Sequence, residues 1–250
     1  MPTAGAPASS EAPAPASGAP APAGKAPGTP HGGLRVRAAA LLRRQYFAGR
    51  EPWTTAAIAE MAIALVLCWV LGVFRPFQMP QGGSVSLEML PILFVAVRRG
   101  LVPGITVGVV YGFVQLLLPG AFLVQPVQVM LDYPLAFGAL GLAALVPVPV
   151  SPVRLAWREI RPAPARVLPF LALLSGAVVV GVSARFVCHF LSGIIFFGSY
   201  APAGQAVWIY SLTYNLLYLA PEAVLTFALL AVLVVAYDEA GLARSGRLPR

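Results

Sequence analysis

The chain has 250 residues, 58% of them hydrophobic and only 10% charged, with a formal net charge of +8. Its mean hydropathy is +0.80, whereas a soluble domain carries roughly 25% charged residues. The composition therefore excludes an ordinary soluble protein and predicts an integral membrane protein, and it removes nucleic acid as the reason for the positive charge.

In chain order, residues 1–33 are almost wholly Ala, Pro, Gly and Ser. Such a segment has nothing to bury and is expected to be disordered. It lacks the apolar core of a signal peptide. Residues 35–50 are basic and read as a short helix on the membrane surface. Residues 1–50 thus form a tail with a basic juxtamembrane segment, 51–238 a membrane domain, and 239–250 a second basic tail.

Six apolar runs follow, near 54–74, 87–97, 102–118, 127–148, 168–191 and 207–237. A span needs about 20 residues, so the second run is short and is expected to tilt or to begin inside the fold near Ser84. We read an all-α, polytopic protein with six transmembrane helices. Gly104, Gly108 and Gly112 recur at every fourth residue of the third run, a spacing that lets another helix approach closely. Cys68 and Cys188 lie in apolar runs and read as small buried side chains.

Orientation follows from Lys and Arg. With six spans, one side collects Lys25, Arg35, Arg37, Arg43, Arg44 and Arg50, then Arg98 and Arg99, then Arg154, Arg158, Arg161 and Arg166, then Arg244, Arg247 and Arg250. The other side holds only Arg75. Both termini are expected in the cytoplasm, and the excess positive charge is a topology signal.

Polar side chains within the spans need a reason, because an ionisable group at bilayer depth costs on the order of 3 kcal/mol. Arg185 and His189 are four apart and share a helix face. Tyr214, Asn215, Tyr218 and Glu222 make one face of the last span polar. Arg185 reads as an ion-pair partner of Glu222 or another carboxylate, hence scaffold. Glu60 and Glu88 stand near helix starts, where a carboxylate caps free N–H groups, so Glu88 is expected to have no part in binding. The tyrosines fit either an interfacial belt or a site. Convergence favours a site: Asp132 near the start of the fourth span, His189 near the end of the fifth, and Tyr210, Tyr214 and Asn215 near the start of the sixth all reach the outer face. A carboxylate, an imidazole, a carboxamide and aromatic walls form a pocket suited to an organic cation, and Asn presents the paired donor and acceptor that match an aminopyrimidine edge. There is no nucleotide-binding motif, so ATP-driven uptake would require partner subunits.

The stretches SLEMLPILFVAVRRGLVPGITVGVVYGFVQLL, QVMLDYPLAFGALGLA, RFVCHFLSGIIFFGSYAP and YSLTYNLLYLAPE resemble the thiamine-specific substrate-binding subunit (S-component) of energy-coupling factor (ECF) transporters, over about 55–235. The resemblance implies the six-helix S-component fold, thiamine bound from outside with high affinity, and docking on an ECF transmembrane coupling subunit driven by two ATPase subunits. It implies no cofactor, no metal and no enzymatic activity, in a bacterial cell membrane. Carried over by motif, Asp132 and Tyr133 are the acidic–Tyr pair, His189 is the histidine of HF-x-SG, and Tyr210 and Asn215 come from the last helix. Phe197 stands where some members have Trp, and Asp132 where some have Glu. The expected roles are Asp132 facing the ligand's positive or proton-donating groups, His189 and Asn215 on the aminopyrimidine edge, and Tyr133, Phe197, Tyr210 and Tyr214 around it. Residues 75–86, rich in Gly and Pro, are expected to form an outer lid, with Gln78 and Gln81 as weaker candidates. The family's Ala-x-x-x-Ala docking motif has no copy here; Ala64 and Cys68 supply only small-x-x-x-small. The alternatives are another vitamin or a pyrimidine precursor as ligand, or a structural membrane subunit held by buried ion pairs. An intramembrane enzyme built on Asp132 and His189 lacks a nucleophile–base or paired-carboxylate pattern.

Overall fold

The computed structural model describes residues 53–118, 120–148 and 164–244, with side chains described through 234 and from 167 in the fifth helix. The expected N-terminal disorder, the surface helix at 35–50, the basic residues between the fourth and fifth spans and the basic C-terminal tail lie outside the described residues and side chains.

Six helices appear where the apolar runs predict them: α1 Thr55–Val73, α2 Met89–Arg99, α3 Leu101–Gln115, α4 Pro126–Leu145, α5 Pro164–Phe196 and α6 Val207–Arg244. Four of these, α1, α4, α5 and α6, are long and apolar enough to cross a membrane. The other two, α2 with 11 residues and α3 with 15, are shorter. They are joined by Gly100 alone, whose φ of 99° is the left-handed backbone a tight reversal needs. The segment before α2 forms a two-stranded antiparallel hairpin, β1 Phe77–Gln78 with β2 Ser84–Val85. The chain therefore enters α2 from within the fold, which is how so short a helix is accommodated.

Start signals are local. Thr54 caps α1, its Oγ1 accepting from the Ala57 N–H at 3.2 Å. Glu88 precedes α2 but its side chain makes no capping bond, and Glu60 is one and a half turns into α1. The capping expectation for both is corrected. Glu60 instead holds Arg98 (3.1 Å) and Arg99 (2.6 Å) at the far end of α2.

The glycine stripe of α3 packs against α4, as its spacing predicts. A Cβ on Gly112 would lie 2.5 Å from the Pro134 Cα, and one on Gly108 would strike the Phe137 carbonyl. Helix α4 is irregular along its length. Leu131–Leu135 is a π turn containing Pro134, which has no N–H to give the helical ladder. Such turns re-aim side chains, and this one carries Asp132 and Tyr133.

The core is formed by inward faces of all six helices, with Met89, Leu93, Tyr111, Phe137, Leu174 and Leu219 fully or nearly fully buried. Helix α1 turns Ala57, Met61, Ala64, Cys68 and Gly72 inward. Ala64 and Cys68 are thus core residues, and the small-x-x-x-small pair is not a docking surface. The outward faces remain apolar, with Ile63, Val66, Val179 and Val224 among many exposed aliphatic residues, as a lipid-facing surface requires.

Candidate functional site

A polar cavity lies at the end of the bundle opposite the Glu60–Arg98–Arg99 cluster. Asp132, Tyr133, His189, Phe197, Tyr210, Tyr214 and Asn215 all line it, as do Gln81, Arg75, Glu88 and Arg185. Gln78 is exposed on β1 and is not among the lining residues. The three polar residues from α4, α5 and α6 lie at similar depth, roughly 9–12 Å from their helix ends at about 1.5 Å per residue.

Asp132 is held by three side chains. Its Oδ2 accepts from Gln128 Nε2 (2.6 Å) and Ser192 Oγ (2.7 Å), and its Oδ1 is 3.1 Å from His189 Nδ1. A carboxylate offers about four acceptor sites, so one remains for a ligand. Gln128 is itself fixed, accepting from the Val124 N–H and donating to the Phe122 carbonyl.

Asn215 is already partnered on its donor side. Its Nδ2 donates to the Ser211 carbonyl (2.9 Å) and the His189 carbonyl (3.4 Å), and its Oδ1 accepts from Tyr218 (2.9 Å). In this geometry Asn215 can offer a ligand only a further acceptor site on Oδ1, and both His189 nitrogens are engaged. Of the donor and acceptor expected of Asn215 toward an aminopyrimidine edge, the acceptor is the one left open in this arrangement. The unfilled hydrogen-bonding capacity of Asp132 and Asn215 is acceptor capacity, which suits a ligand bearing N–H donors and positive charge.

The aromatic walls divide in two. Phe197 stands 5.7 Å from Phe122 and 6.1 Å from Tyr200. On the other side Tyr210 and Tyr214 are 5.6 Å apart, and Tyr214 and Tyr218 6.4 Å. Two tyrosines do more than line the walls. The Tyr214 hydroxyl accepts from the Gln81 N–H (3.0 Å) and donates to the Gly82 carbonyl (2.8 Å), fastening the hairpin turn over the cavity. The Tyr133 hydroxyl accepts from the Phe122 N–H (2.7 Å), fastening the segment between α3 and α4.

Below the walls is a charged floor. Glu88 Oε2 accepts from Tyr111 (2.9 Å) and Gln115 (2.7 Å), and its Oε1 is 3.5 Å from Arg185 Nη2. Arg185 was expected to pair with Glu222 or another carboxylate, and the carboxylate it meets is Glu88, while Glu222 accepts from Ser86. Gln115 in turn accepts from Arg75, which also donates to the Gly72 carbonyl. Sequence reasoning missed Gln128, Ser192 and the Glu88–Arg185 pair. Gln128 had a signal, being one helical turn before Asp132; the Glu88–Arg185 contact joins residues 97 apart and had none.

Among the described residues no group of three His, Cys, Asp or Glu is placed to hold a metal ion. An apolar six-helix bundle with one end opened into a lidded polar cavity defines a membrane protein that binds a solute. The family described as Thiamine transporter protein (Thia_YuaJ) matches residues 58–241. The chain is 40% identical over 172 residues to the thiamine transporter ThiT of Bacillus subtilis, covering 69% of this chain and 84% of that one. It is 33% identical over 167 residues to ThiT of Lacticaseibacillus paracasei, covering 66% and 79%. The structure of ThiT from Listeria monocytogenes shares the fold at a TM-score of 0.62 and 23% identity, covering 72% of this chain and 94% of that one. The chain belongs to the thiamine transporter protein family, and is a polytopic transport subunit of the membrane, not an enzyme.

Proposed function

We propose that this chain captures thiamine in the cavity between α4, α5 and α6, as the substrate-binding subunit of an ATP-driven importer. Family membership supports the ligand class, and the acceptor-lined cavity is the observation that carries the site. Asp132 holds an open acceptor position beside aromatic rings, the combination that attracts a delocalised cation bearing an amino group. Tyr133, Phe197, Tyr210 and Tyr214 enclose the rings of the ligand. Asn215 accepts from the amino group through Oδ1, and His189 holds Asp132 in place.

The cavity opens away from Arg98 and Arg99, so the positive-inside rule places it on the outer side and both termini in the cytoplasm. The chain has no nucleotide-binding motif, so energy comes from an ECF coupling subunit and its two ATPases. Titration of the purified protein with thiamine in a calorimeter tests the reading. Saturable one-to-one binding at or below micromolar ligand is expected; no heat and no protection from thermal unfolding at that concentration would refute it.

A further inference from the structure

Arg185 is anomalous in a cavity read as a cation site. Its side chain is 5% exposed and lies at the cavity floor, where it repels any cationic ligand. Three contacts hold it. Nη2 faces Glu88 Oε1 at 3.5 Å, Cζ lies 4.2 Å from the Phe137 ring centre, and Nε donates to His189 Nε2 at 3.2 Å.

The last contact fixes the chemistry of the imidazole. Arginine has five N–H donors and no acceptor, so His189 Nε2 must be a bare acceptor. The ring proton then belongs on Nδ1, which points at Asp132 Oδ1, 3.1 Å away. Glu88, Arg185, His189 and Asp132 form one directed chain across α2, α5 and α4. We propose that Arg185 is a positioning residue that holds His189 as the neutral Nδ1–H tautomer, leaving the charge of Asp132 uncancelled for an organic cation. The role deepens the thiamine reading and rests on it for the identity of the cation.

An imidazolium beside Asp132 would act as a competing counter-ion. Protonating Nε2 would set its N–H against the Arg185 N–H, so the arrangement opposes that state by geometry. The groups facing the His189 ring are Asp132 from α4, Tyr218 from α6 at 6.2 Å between ring centres, and Arg185 from its own helix, while Gln128 and Ser192 bond the far oxygen of Asp132. Behind Arg185 stand Glu88 at the start of α2 and Glu222 on α6.

The direct test is nitrogen NMR of the ligand-free full chain with labelled histidine, His189 being assigned by loss of its signals in His189→Gln. The expected spectrum at neutral pH has Nδ1 protonated and Nε2 bare. A proton on Nε2, with or without one on Nδ1, overturns the proposal. The second test records the same spectrum, and thiamine affinity, for the charge-neutral Glu88→Gln/Arg185→Met variant. Without the guanidinium, Nε2 should no longer be held bare and thiamine affinity should fall severalfold. An unchanged His189 spectrum or an unchanged affinity in the folded variant overturns the proposal, and if the variant does not fold the wild-type spectrum decides alone. An intact Nδ1–H tautomer without thiamine binding would refute the ligand, not the positioning role. Binding with the proton on Nε2 would do the reverse.

Discussion

The floor and the roof of the cavity are built differently. The floor is a chain of side-chain bonds from the buried Gln115, Glu88 and Arg185 to the partly buried His189 and Asp132. The roof is two backbone segments tied by neutral side chains, the hairpin turn by the Tyr214 hydroxyl and the stretch after α3 by the Tyr133 hydroxyl and the Gln128 amide. Buried charges that lose a partner are costly, so the floor has one arrangement before any ligand arrives. A hydrogen bond between neutral groups is worth about 1 kcal/mol, so the roof is held less tightly than the charged floor. On the function proposed above, recognition belongs to the floor and passage to the roof.

That division is open to breakage by substitution. Asp132→Ala removes the charged acceptor and orphans Gln128, Ser192 and His189. At about 1.5–3 kcal/mol per charged hydrogen bond, thiamine affinity should fall by at least tenfold and up to about a hundredfold, as read by calorimetry. Glu88→Gln leaves Arg185 without its counter-ion and should weaken binding severalfold while lowering the thermal midpoint. Unchanged affinity and midpoint would return Glu88 to the passive role its sequence position suggests. Gly108→Ala drives a methyl into the Phe137 carbonyl and should cost about 1–3 kcal/mol of stability, visible as a lowered unfolding temperature. Tyr214→Phe should change the equilibrium affinity little but raise the dissociation rate by about fivefold, the equivalent of about 1 kcal/mol, as followed by stopped-flow fluorescence. Glu60→Gln, at the other end of the bundle, should leave thiamine binding untouched, because partly exposed pairs contribute about 0–1 kcal/mol.

Much of this was legible in the sequence. The six spans follow from hydropathy, and the α3 stripe from glycine spacing alone. The residues chosen for a site gather around one cavity because each stands near the same end of its span, which the alternation of spans dictates. What stayed hidden was pairing. Arg185 had two carboxylates to choose from, Glu88 and Glu222, and nothing local distinguishes them. The capping reading of Glu88 failed because its side chain turns into the bundle to meet Tyr111, Gln115 and Arg185. The roles of Tyr133 and Tyr214 as fasteners were equally invisible, since their partners are backbone groups of loops whose path the sequence does not specify. Cys68 is the small buried side chain the sequence suggested, whereas the direction of the face it shares with Ala64 was not legible, because spacing shows that two small residues share a helix face and not which way that face turns.

The central claim is that a fixed carboxylate on the floor, and not the aromatic walls alone, selects the ligand. Parallel thiamine titrations of wild type and Asp132→Asn test it most directly, since the substitution keeps the shape and removes the charge. The account predicts saturable one-to-one binding by wild type and an affinity at least tenfold lower in the folded variant, in line with about 1.5 kcal/mol or more for a charged hydrogen bond. Equal affinity in the two proteins would contradict it.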